Sequence, residues 1–394
     1  MDAIEELLTR GVENIIPNKE KLRALLIGGR KLNIYLGIDP TATNIHIGHA
    51  VALRKLQAFA KLGHNVTFLI GDFTALIGDT SDKESERPIL TSEQIEKNFQ
   101  TYKEQAQKIL DFSKVKVRHN SEWLKKLTFE EIIKLTYHFS AGDFYSRELI
   151  KKRLNEGLHV GLHEILYPVM QGYDSYFMDT DIQLGGTDQT FNMQAGRVLQ
   201  KDLRKKESFI IANGFLEGTD GRKMSKTWNN AIWLNDPPKE MYGKIMSLKD
   251  DLIIQYFSLA TNTPLEKIEE IKRALSGGDN PMKWKKQLAY NIVKELYTLP
   301  IADEAQKQFE LQFQKKDFQQ ATLPLVPITS LNSTASVSQI LIDTNIASSK
   351  SQAKRLISQG SVSFDDYKAT SDELLITLKP GTIIGVGKIH IKLS

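Results

Sequence analysis

The sequence of 394 residues contains no cysteine, which excludes disulfide bonds, thiolate catalysis and any zinc or iron–sulfur site held by cysteine. No uninterrupted apolar stretch approaches the roughly 20 residues that a membrane span needs. The first residues, MDAIEELL, are acidic and helical in pattern, without the basic start and apolar core of a secretory signal. We therefore expect a protein of a reducing, cytoplasmic compartment with no membrane partner.

A large excess of charge of either sign is also missing. The chain has 52 Lys and Arg against 48 Asp and Glu, a formal net charge of +4. This balance excludes a disordered chain or a promiscuous binder of polyanions such as DNA. With 41% hydrophobic and 25% charged residues, the composition is that of an ordinary globular protein. At roughly 150 residues per domain, the length suggests two or three domains.

Strand and helix patterns alternate along the first part of the chain. Residues 33–38 have a strand pattern, residues 48–62 place apolar side chains at helical spacing, and residues 66–70 form an apolar strand. Such strand–helix–strand units favour a parallel sheet. Further elements predicted by the same criteria are a helix opened by a Thr91 capping box and strands at 114–118, 181–184 and 208–211. We expect a doubly wound, Rossmann-like α/β domain over residues 1–232.

The pattern changes after residue 232. Residues 233–318 show successive helical patterns and predict a helical middle domain. Residues 319–334, which contain two prolines and many Thr, Ser and Asn, predict a linker. Residues 335–394 combine two short helical patterns with β-like segments, so we expect a small α+β domain at this end.

Two histidines, His46 and His49, stand where the helix after the first strand begins. A helix N-terminus exposes backbone N–H groups and a positive dipole, which suit a phosphate. The imidazoles can donate hydrogen bonds to phosphate oxygens, and Gly48 has no side chain to obstruct a flat ring. Histidines three residues apart also occur at ordinary helix starts. A metal site is a poor alternative because no third ligand stands at a recognised spacing, so no metal ligands are predicted.

A basic loop at residues 221–227 is the second candidate. Lys223 and Lys226, with the hydroxyl of Thr227, could close over a polyphosphate and neutralise the charge of departing pyrophosphate. A solvated basic loop is the alternative.

Polar residues also interrupt an apolar segment that has a helical pattern. Tyr167, Gln171 and Asp174 are spaced to share one helix face, and their burial would require polar partners. Such a stripe can instead face solvent. Pro168 is expected to start or kink this helix. Tyr35, four residues before Asp39, is either a site residue or an ordinary strand aromatic.

Two further segments fit ligands only in a general way. The paired glycines that end at Gly186 let the backbone approach a ligand, and Asp188 can accept from ribose hydroxyls, although such strand–turn–helix segments are common. Lys350, Lys354 and Arg355 fall on one helical face, which suits RNA phosphates or simply solvent.

The two phosphate motifs, in this order, resemble the HIGH and KMSKS elements of the class I aminoacyl-tRNA synthetases. Thr227 replaces the final serine and keeps a hydroxyl. The Tyr-x-x-x-Gln-x-x-Asp pattern that begins at Tyr167 resembles the tyrosyl-tRNA synthetase family, and the segment GGTDQTFN that begins at Gly185 is similar to its second bacterial subgroup. The C-terminal segment resembles an S4 RNA-binding module.

The resemblance implies a role for each matching residue. Tyr35 and Asp174 are expected to bind a tyrosine phenol, and the remaining amino-acid contacts are expected from Asp79, Tyr167, Gln171 and Gln189. ATP contacts are expected from Asp39, His46, Gly48, His49, Gly186, Asp188, Lys223 and Lys226. The catalytic set is expected to be His46, His49, Lys223, Lys226 and Thr227. Leu36 stands where the first subgroup has a small polar residue, so one ribose contact is expected to be lost.

The resemblance also implies an activity and its partners. We expect ATP-dependent ligation of tyrosine to tRNA(Tyr), with Mg²⁺ bound mainly through the ATP phosphates, and a homodimer. Tryptophan activation is the nearest alternative, because the two enzymes share folds and motifs. A non-catalytic RNA-binding relative is the alternative from another class.

Overall fold

The computed structural model describes residues 2–79, 90–225, 227–315, 317–318, 321–328, 334–365, 367–387 and 389–394. Lys226, which the sequence assigns to the basic loop, therefore lies outside the described residues. The chain divides into two compact units, Met1–Asp303 and Glu304–Ser394. The finer domain boundaries at residues 232, 318 and 334 stay predictions.

A six-stranded sheet forms the centre of the first unit. Its strands are β1 (Val12–Ile16), β2 (Asn33–Ile38), β3 (Asn65–Ile70), β4 (Val115–His119), β5 (Ile182–Gly186) and β6 (Phe209–Asn213). They lie in the order β1-β6-β5-β2-β3-β4, and all neighbours are parallel except β1, which is antiparallel to β6. The predicted α/β fold with a parallel sheet is confirmed.

Helices connect the strands and continue beyond the last one. In chain order they are α1 (Ala3–Thr9), α2 (Lys19–Ile27), α3 (Ile47–Lys61), α4 (Ser92–Ala106), α5 (Ser121–Leu124), α6 (Phe129–Thr136), α7 (Ala141–Tyr145), α8 (Glu148–Asn155), α9 (Leu162–Phe177), α10 (Thr190–Arg204), α11 (Pro238–Met246), α12 (Ile253–Ala260), α13 (Leu265–Ser276), α14 (Pro281–Leu296) and α15 (Leu299–Phe309). Short 3₁₀ turns span Thr74–Leu76, Thr187–Gln189 and Asp250–Leu252, and a π-helical segment spans Glu310–Lys315. In the described parts of the chain, no helix combines the length and apolarity that crossing a membrane requires.

The strand order places a crevice at the centre of the sheet. From β2 the chain builds outward through β3 and β4, and it then returns to the other side of β2 to form β5 and β6. The connections therefore leave the carboxyl ends of β2 and β5 in opposite directions, which is where open α/β sheets bind ligands. Asp39 follows β2 and Gly186 ends β5, so both stand at this crevice.

Pro168 was expected to start or kink helix α9, and it does not start it, because α9 begins six residues earlier at Leu162. Proline has no N–H, so it cannot donate to the carbonyl of Glu164 four residues before it. Arg147 donates to that carbonyl instead, from Nη2 at 3.2 Å. The helix therefore continues through the proline with this acceptor satisfied from outside.

The second unit combines helices and short strands. Its elements after α15 are β7 (Leu325–Val326), β8 (Thr334–Ser336), α16 (Val337–Asp343), α17 (Lys350–Ser358), β9 (Val362–Phe364), β10 (Tyr367–Lys368), β11 (Leu375–Thr377), β12 (Ile383–Val386) and β13 (Ile389–Leu393). Five strands form a sheet in the order β10-β9-β12-β13-β7, and β11 pairs with β8. Buried side chains of both helices and of this sheet share one core, as predicted for a small α+β domain.

Candidate active site

The two predicted histidines lie together at the N-terminus of α3. Their rings stack, with centroids 3.7 Å apart and planes inclined by 20°. A Cβ on Gly48 would lie 2.9 Å from His46 Nδ1, so a glycine is needed beside this ring. Burial and then the positive charges of His49 and Lys223 hold the pKa of His46 well below its usual value. His46 is therefore neutral at physiological pH and carries one N–H donor.

The predicted basic loop, to which Lys223 belongs, lies at the same site, because residues just after the loop pair with the start of α3 and His46 forms an isolated β-bridge with Trp233. Backbone hydrogen bonds explain the approach: Ile47 N–H donates to the Ile232 carbonyl at 2.8 Å, and Leu234 N–H donates to the Ile45 carbonyl at 2.9 Å. The segment after the loop is thus attached to the start of α3. Lys223 and Thr227 are exposed.

A buried asparagine that sequence reasoning missed organises the loop from inside. Asn230 donates from Nδ2 to Asp220 Oδ1 at 2.7 Å and to the Lys223 carbonyl at 3.1 Å. Its Oδ1 accepts from the Ser225 N–H at 2.8 Å. One side chain therefore joins both branches of the loop. Its position three residues after the motif gives no periodic signal from which to predict this.

Acidic groups gather on the other side of the crevice. Asp39 accepts from the Tyr167 hydroxyl at 2.9 Å and from Thr74 Oγ1 at 2.8 Å. Asp79 is buried and accepts from Gln189 Nε2 at 2.8 Å. Burial raises the pKa of the Tyr167 hydroxyl, and the charges of Asp39, Asp79 and Asp174 raise it further. A pocket in which the side chains of Asp39 and Asp79 lie near one tyrosine suits a cationic ligand group.

Tyr35 and Asp174 are both 3% exposed and lie deeper in the same region. Asp174 accepts from Trp123 Nε1 at 2.7 Å and from Asn120 Nδ2 at 3.1 Å. Burial raises the pKa of Asp174 to about 8, although these two donors lower it. Burial, followed by the charge of Asp174, raises the pKa of the Tyr35 hydroxyl.

The partners of this deep pair are further residues that sequence reasoning missed. The Tyr35 hydroxyl donates to Gln183 Oε1 at 3.1 Å. Gln183 is the one polar residue in the apolar run Ile182–Leu184, and this was an available signal. Asn120 and Trp123, which stand three residues apart after β4, gave a weaker sequence signal.

The remaining predicted residues occupy the rim of the crevice. Gln171 is partly buried on α9, between Tyr167 and Asp174. Asp188 lies in the 3₁₀ turn after β5, and a Cβ on Gly186 would lie 2.4 Å from its Oδ1. The glycine therefore lets this carboxylate fold back over the end of the strand.

No group of three His, Asp or Glu side chains is arranged to hold a metal ion within the parts of the chain that the structure describes.

In the second unit, Lys350, Lys354 and Arg355 are exposed on α17, while Ala353 and Ile357 of the same helix are buried. The three basic residues therefore lie apart from the core-facing side of this helix.

The first unit therefore combines a doubly wound sheet, a helix N-terminus with two stacked histidines at its crevice and acidic side chains nearby, an arrangement typical of nucleotide-binding α/β proteins. A family model described as "tRNA synthetases class I (W and Y)" matches residues 28–314. The chain belongs to this family.

Its relatives include proteins that align over nearly the whole chain. A tyrosine–tRNA ligase of Thermotoga maritima is 41% identical over 387 residues, which are 97% of this chain and 95% of the relative. A tyrosine–tRNA ligase 2 of Vibrio cholerae is 42% identical over 392 residues, 98% of each chain. Among solved structures, a C-terminally truncated mitochondrial tyrosyl-tRNA synthetase of Aspergillus nidulans is similar in fold, with a TM-score of 0.67 at 21% identity, covering 79% of this chain and 94% of that one.

Proposed function

We propose that this protein is a tyrosine–tRNA ligase. It activates L-tyrosine with ATP to tyrosyl-adenylate and pyrophosphate, and it then transfers tyrosine to the 3′-terminal adenosine of tRNA(Tyr) for protein synthesis. The observation that carries the proposal is the buried polar pair Tyr35 and Asp174. A phenol hydroxyl can hydrogen-bond both groups, whereas phenylalanine would leave the bonding capacity that they turn towards the substrate unused in a dry site. The full-length tyrosine–tRNA ligase relatives support the same substrate.

The acidic side of the crevice receives the amino-acid backbone. Tyr167, Gln171 and Asp79 hold the α-ammonium, for which the carboxylates around Tyr167 supply the complementary charge. Gln189, which donates to Asp79 at 2.8 Å, lies beside the carboxyl end of the substrate. The substrate carboxylate is thereby turned towards the phosphates.

The basic side receives ATP. Its contacts are assigned to Asp39, His46, Gly48, His49, Gly186, Asp188, Lys223 and Lys226. The neutral imidazole of His46 donates an N–H to a phosphate oxygen, and the helix N-terminus adds its positive dipole.

The reaction is an attack of the tyrosine carboxylate on the α-phosphorus, in which the bond to the β-phosphate oxygen breaks and pyrophosphate leaves. His46, His49, Lys223, Lys226 and Thr227 stabilise the negative charge that grows on the phosphates. Catalysis rests on positioning and charge stabilisation, because no side chain forms a covalent intermediate. Mg²⁺ bound mainly through the ATP phosphates would supply further charge neutralisation there.

We assign tRNA binding to the second unit. Lys350, Lys354 and Arg355 of α17 contact tRNA phosphates, and their exposure on one helix supports this. The enzyme acts in the cytoplasm, where tRNA is charged for translation.

The protein is a homodimer in this proposal. Large apolar side chains are exposed on and after α6 in the first unit, where Phe129 is 77%, Tyr137 79% and Leu162 68% exposed. Exposed apolar side chains of this size are the kind of surface that a second copy can cover, and they support the proposed dimer. Sedimentation equilibrium of the full chain should give twice the mass of one chain, and Tyr137→Asp should shift the distribution towards monomer. A monomer at micromolar concentration would exclude the dimer.

ATP–pyrophosphate exchange tests the activity and separates the alternatives. We expect exchange that depends on tyrosine and not on phenylalanine or tryptophan. Exchange with tryptophan only would identify a tryptophan–tRNA ligase. Absence of exchange with all three amino acids would leave a non-catalytic RNA-binding relative and refute the proposal.

A further inference from the structure

A buried glutamine sets the direction of hydrogen bonding at the Tyr35 hydroxyl. Gln183 of β5 is fully buried and neighbours Tyr35 of β2 in the parallel register. Its Nε2 lies 2.8 Å from the Met193 carbonyl oxygen, and its Oε1 lies 3.1 Å from the Tyr35 hydroxyl. A carbonyl oxygen only accepts, so the amide nitrogen must face Met193 and the amide oxygen must face Tyr35. The Tyr35 hydroxyl therefore donates its single proton to Gln183.

The hydroxyl of Tyr35 consequently has only lone pairs left for the pocket. We propose that Gln183 is a positioning residue for amino-acid selection: it holds the Tyr35 hydroxyl as an acceptor, so that the site favours ring substituents that donate a hydrogen bond. This inference rests on the proposed function. It adds the residue that makes the site prefer a hydrogen-bond donor on the substrate ring.

The surroundings of Gln183 indicate that its amide is needed for more than filling space. Its strand neighbours Ile182 and Leu184 are apolar and buried on the opposite face, so Gln183 is the one polar side chain in this part of the strand. A Cβ on Gly196 of α10 would lie 2.6 Å from Gln183 Oε1, so a glycine leaves room for the amide. A buried amide is costly unless both of its polar atoms are bonded, and here both are.

Pyrophosphate exchange with two amino acids tests the inference. Tyrosine offers one donor and an acceptor, whereas 4-aminophenylalanine offers two N–H donors and a weakly accepting nitrogen. Gln183→Met keeps the length but frees the Tyr35 hydroxyl to turn towards the pocket as a donor. We expect kcat/KM for 4-aminophenylalanine, relative to tyrosine, to fall about tenfold in this variant.

Gln183→Glu is the matched control. A buried glutamic acid is protonated, donates to the Met193 carbonyl and retains an acceptor for Tyr35, so the ratio should stay within about twofold of the unaltered protein. A space-filling role predicts the reverse order, with Met tolerated and Glu disturbed, and that order would overturn the inference. Equal ratios in all three proteins would overturn it as well.

A double variant separates an effect that acts through the Tyr35 hydroxyl from a general destabilisation of the pocket. With Tyr35→Phe already present, Gln183→Met should leave the ratio unchanged, because no hydroxyl remains to reorient. Circular dichroism and the KM for ATP show whether Gln183→Met is folded. If it is not, Gly196→Ala takes its place: the added methyl group on α10 would displace the Gln183 amide and should lower the ratio in the same way. Absence of tyrosine exchange in the unaltered protein would overturn the proposed function and this inference together, whereas tyrosine exchange with an unchanged ratio overturns this inference alone.

Discussion

The Tyr167 hydroxyl donates a 2.9 Å hydrogen bond to Asp39 Oδ2 and so joins α9 to the end of β2. The two residues are 128 positions apart in sequence. In the proposed function one of them binds the amino acid and the other binds ATP. The second oxygen of Asp39 accepts from Thr74 at 2.8 Å, so each oxygen has a donor of its own. The two substrate sites are therefore linked by a direct contact between their side chains.

Tyr167→Phe should weaken binding of both substrates. It removes a hydrogen bond to a carboxylate, typically about 1.5–3 kcal/mol, and leaves one Asp39 oxygen without this donor. We expect KM to rise about tenfold or more for tyrosine and, to a smaller degree, for ATP. Tyr173→Phe on the same helix is the control and should change neither value. A rise in KM for tyrosine without a rise in KM for ATP would show that the two sites are independent.

Asn230→Ala should slow adenylate formation without weakening tyrosine binding. The variant removes the bonds to the Lys223 carbonyl, the Ser225 N–H and Asp220, so the basic loop loses the side chain that joins its branches. A loss of about 1.4 kcal/mol of transition-state stabilisation corresponds to a tenfold slower rate. Single-turnover measurements give the rate, and equilibrium dialysis gives tyrosine affinity.

The matched control for Asn230→Ala is Asn235→Ala, which removes the same side chain at an exposed position. It should leave the rate of adenylate formation unchanged. Equal rates for both variants would show that Asn230 has no part in the loop's action.

The sheet was predictable because its signals are local. Alternation and apolar runs place β2 at residues 33–38 in both sequence and structure, and the helix after it differs by one residue at each end. The histidine and lysine motifs are short and contiguous, so local sequence marks them as candidates, and the resemblance to the class I synthetases gives them their expected roles. That the charge of Lys223 lowers the pKa of His46 could be seen only in the structure, because the two motifs are brought near each other by backbone bonds between Ile45–Ile47 and Ile232–Leu234.

Apart from Gln183, the polar partners of the site leave little or no signal in the sequence. Asn120 and Trp123 reach Asp174 from an element about 50 residues away, and Asn230 acts within its own loop but without periodicity. That α9 begins before Pro168 could not be read from the local sequence, because the compensating donor, Arg147, lies on a different segment. Side-chain contacts between distant elements follow from tertiary packing, which local propensity does not encode.

The stability contribution of Asp174 should fall as pH rises. Burial raises its pKa to about 8 in the folded protein, against about 3.9 for an unfolded aspartate. Between these values the folded state keeps the proton that the unfolded state has released, so stability is full below about pH 4 and is lost progressively up to about pH 8. Asp174→Asn cannot ionise. Its unfolding temperature relative to the unaltered protein should therefore increase from pH 5 to pH 8.

Thermal unfolding at pH 5, 6.5 and 8 measures this difference for Asp174→Asn. Asp143→Asn, at an exposed position, controls for the loss of one negative charge. A difference for Asp174→Asn that is constant with pH would contradict the raised pKa.

Lys350 and Lys354 should contribute to tRNA binding through charge alone. Both are exposed on α17, and Lys354 has only a 3.8 Å ion pair with Asp372 among the salt bridges of the described residues. Each Lys→Ala change should weaken tRNA(Tyr) binding and reduce the slope of log K against log salt by about one. Tyrosine-dependent pyrophosphate exchange should be unaffected, because that half-reaction needs no tRNA. Lys21→Ala, an exposed lysine of α2, is the control, and an equal loss of tRNA affinity in that variant would exclude a specific role for α17.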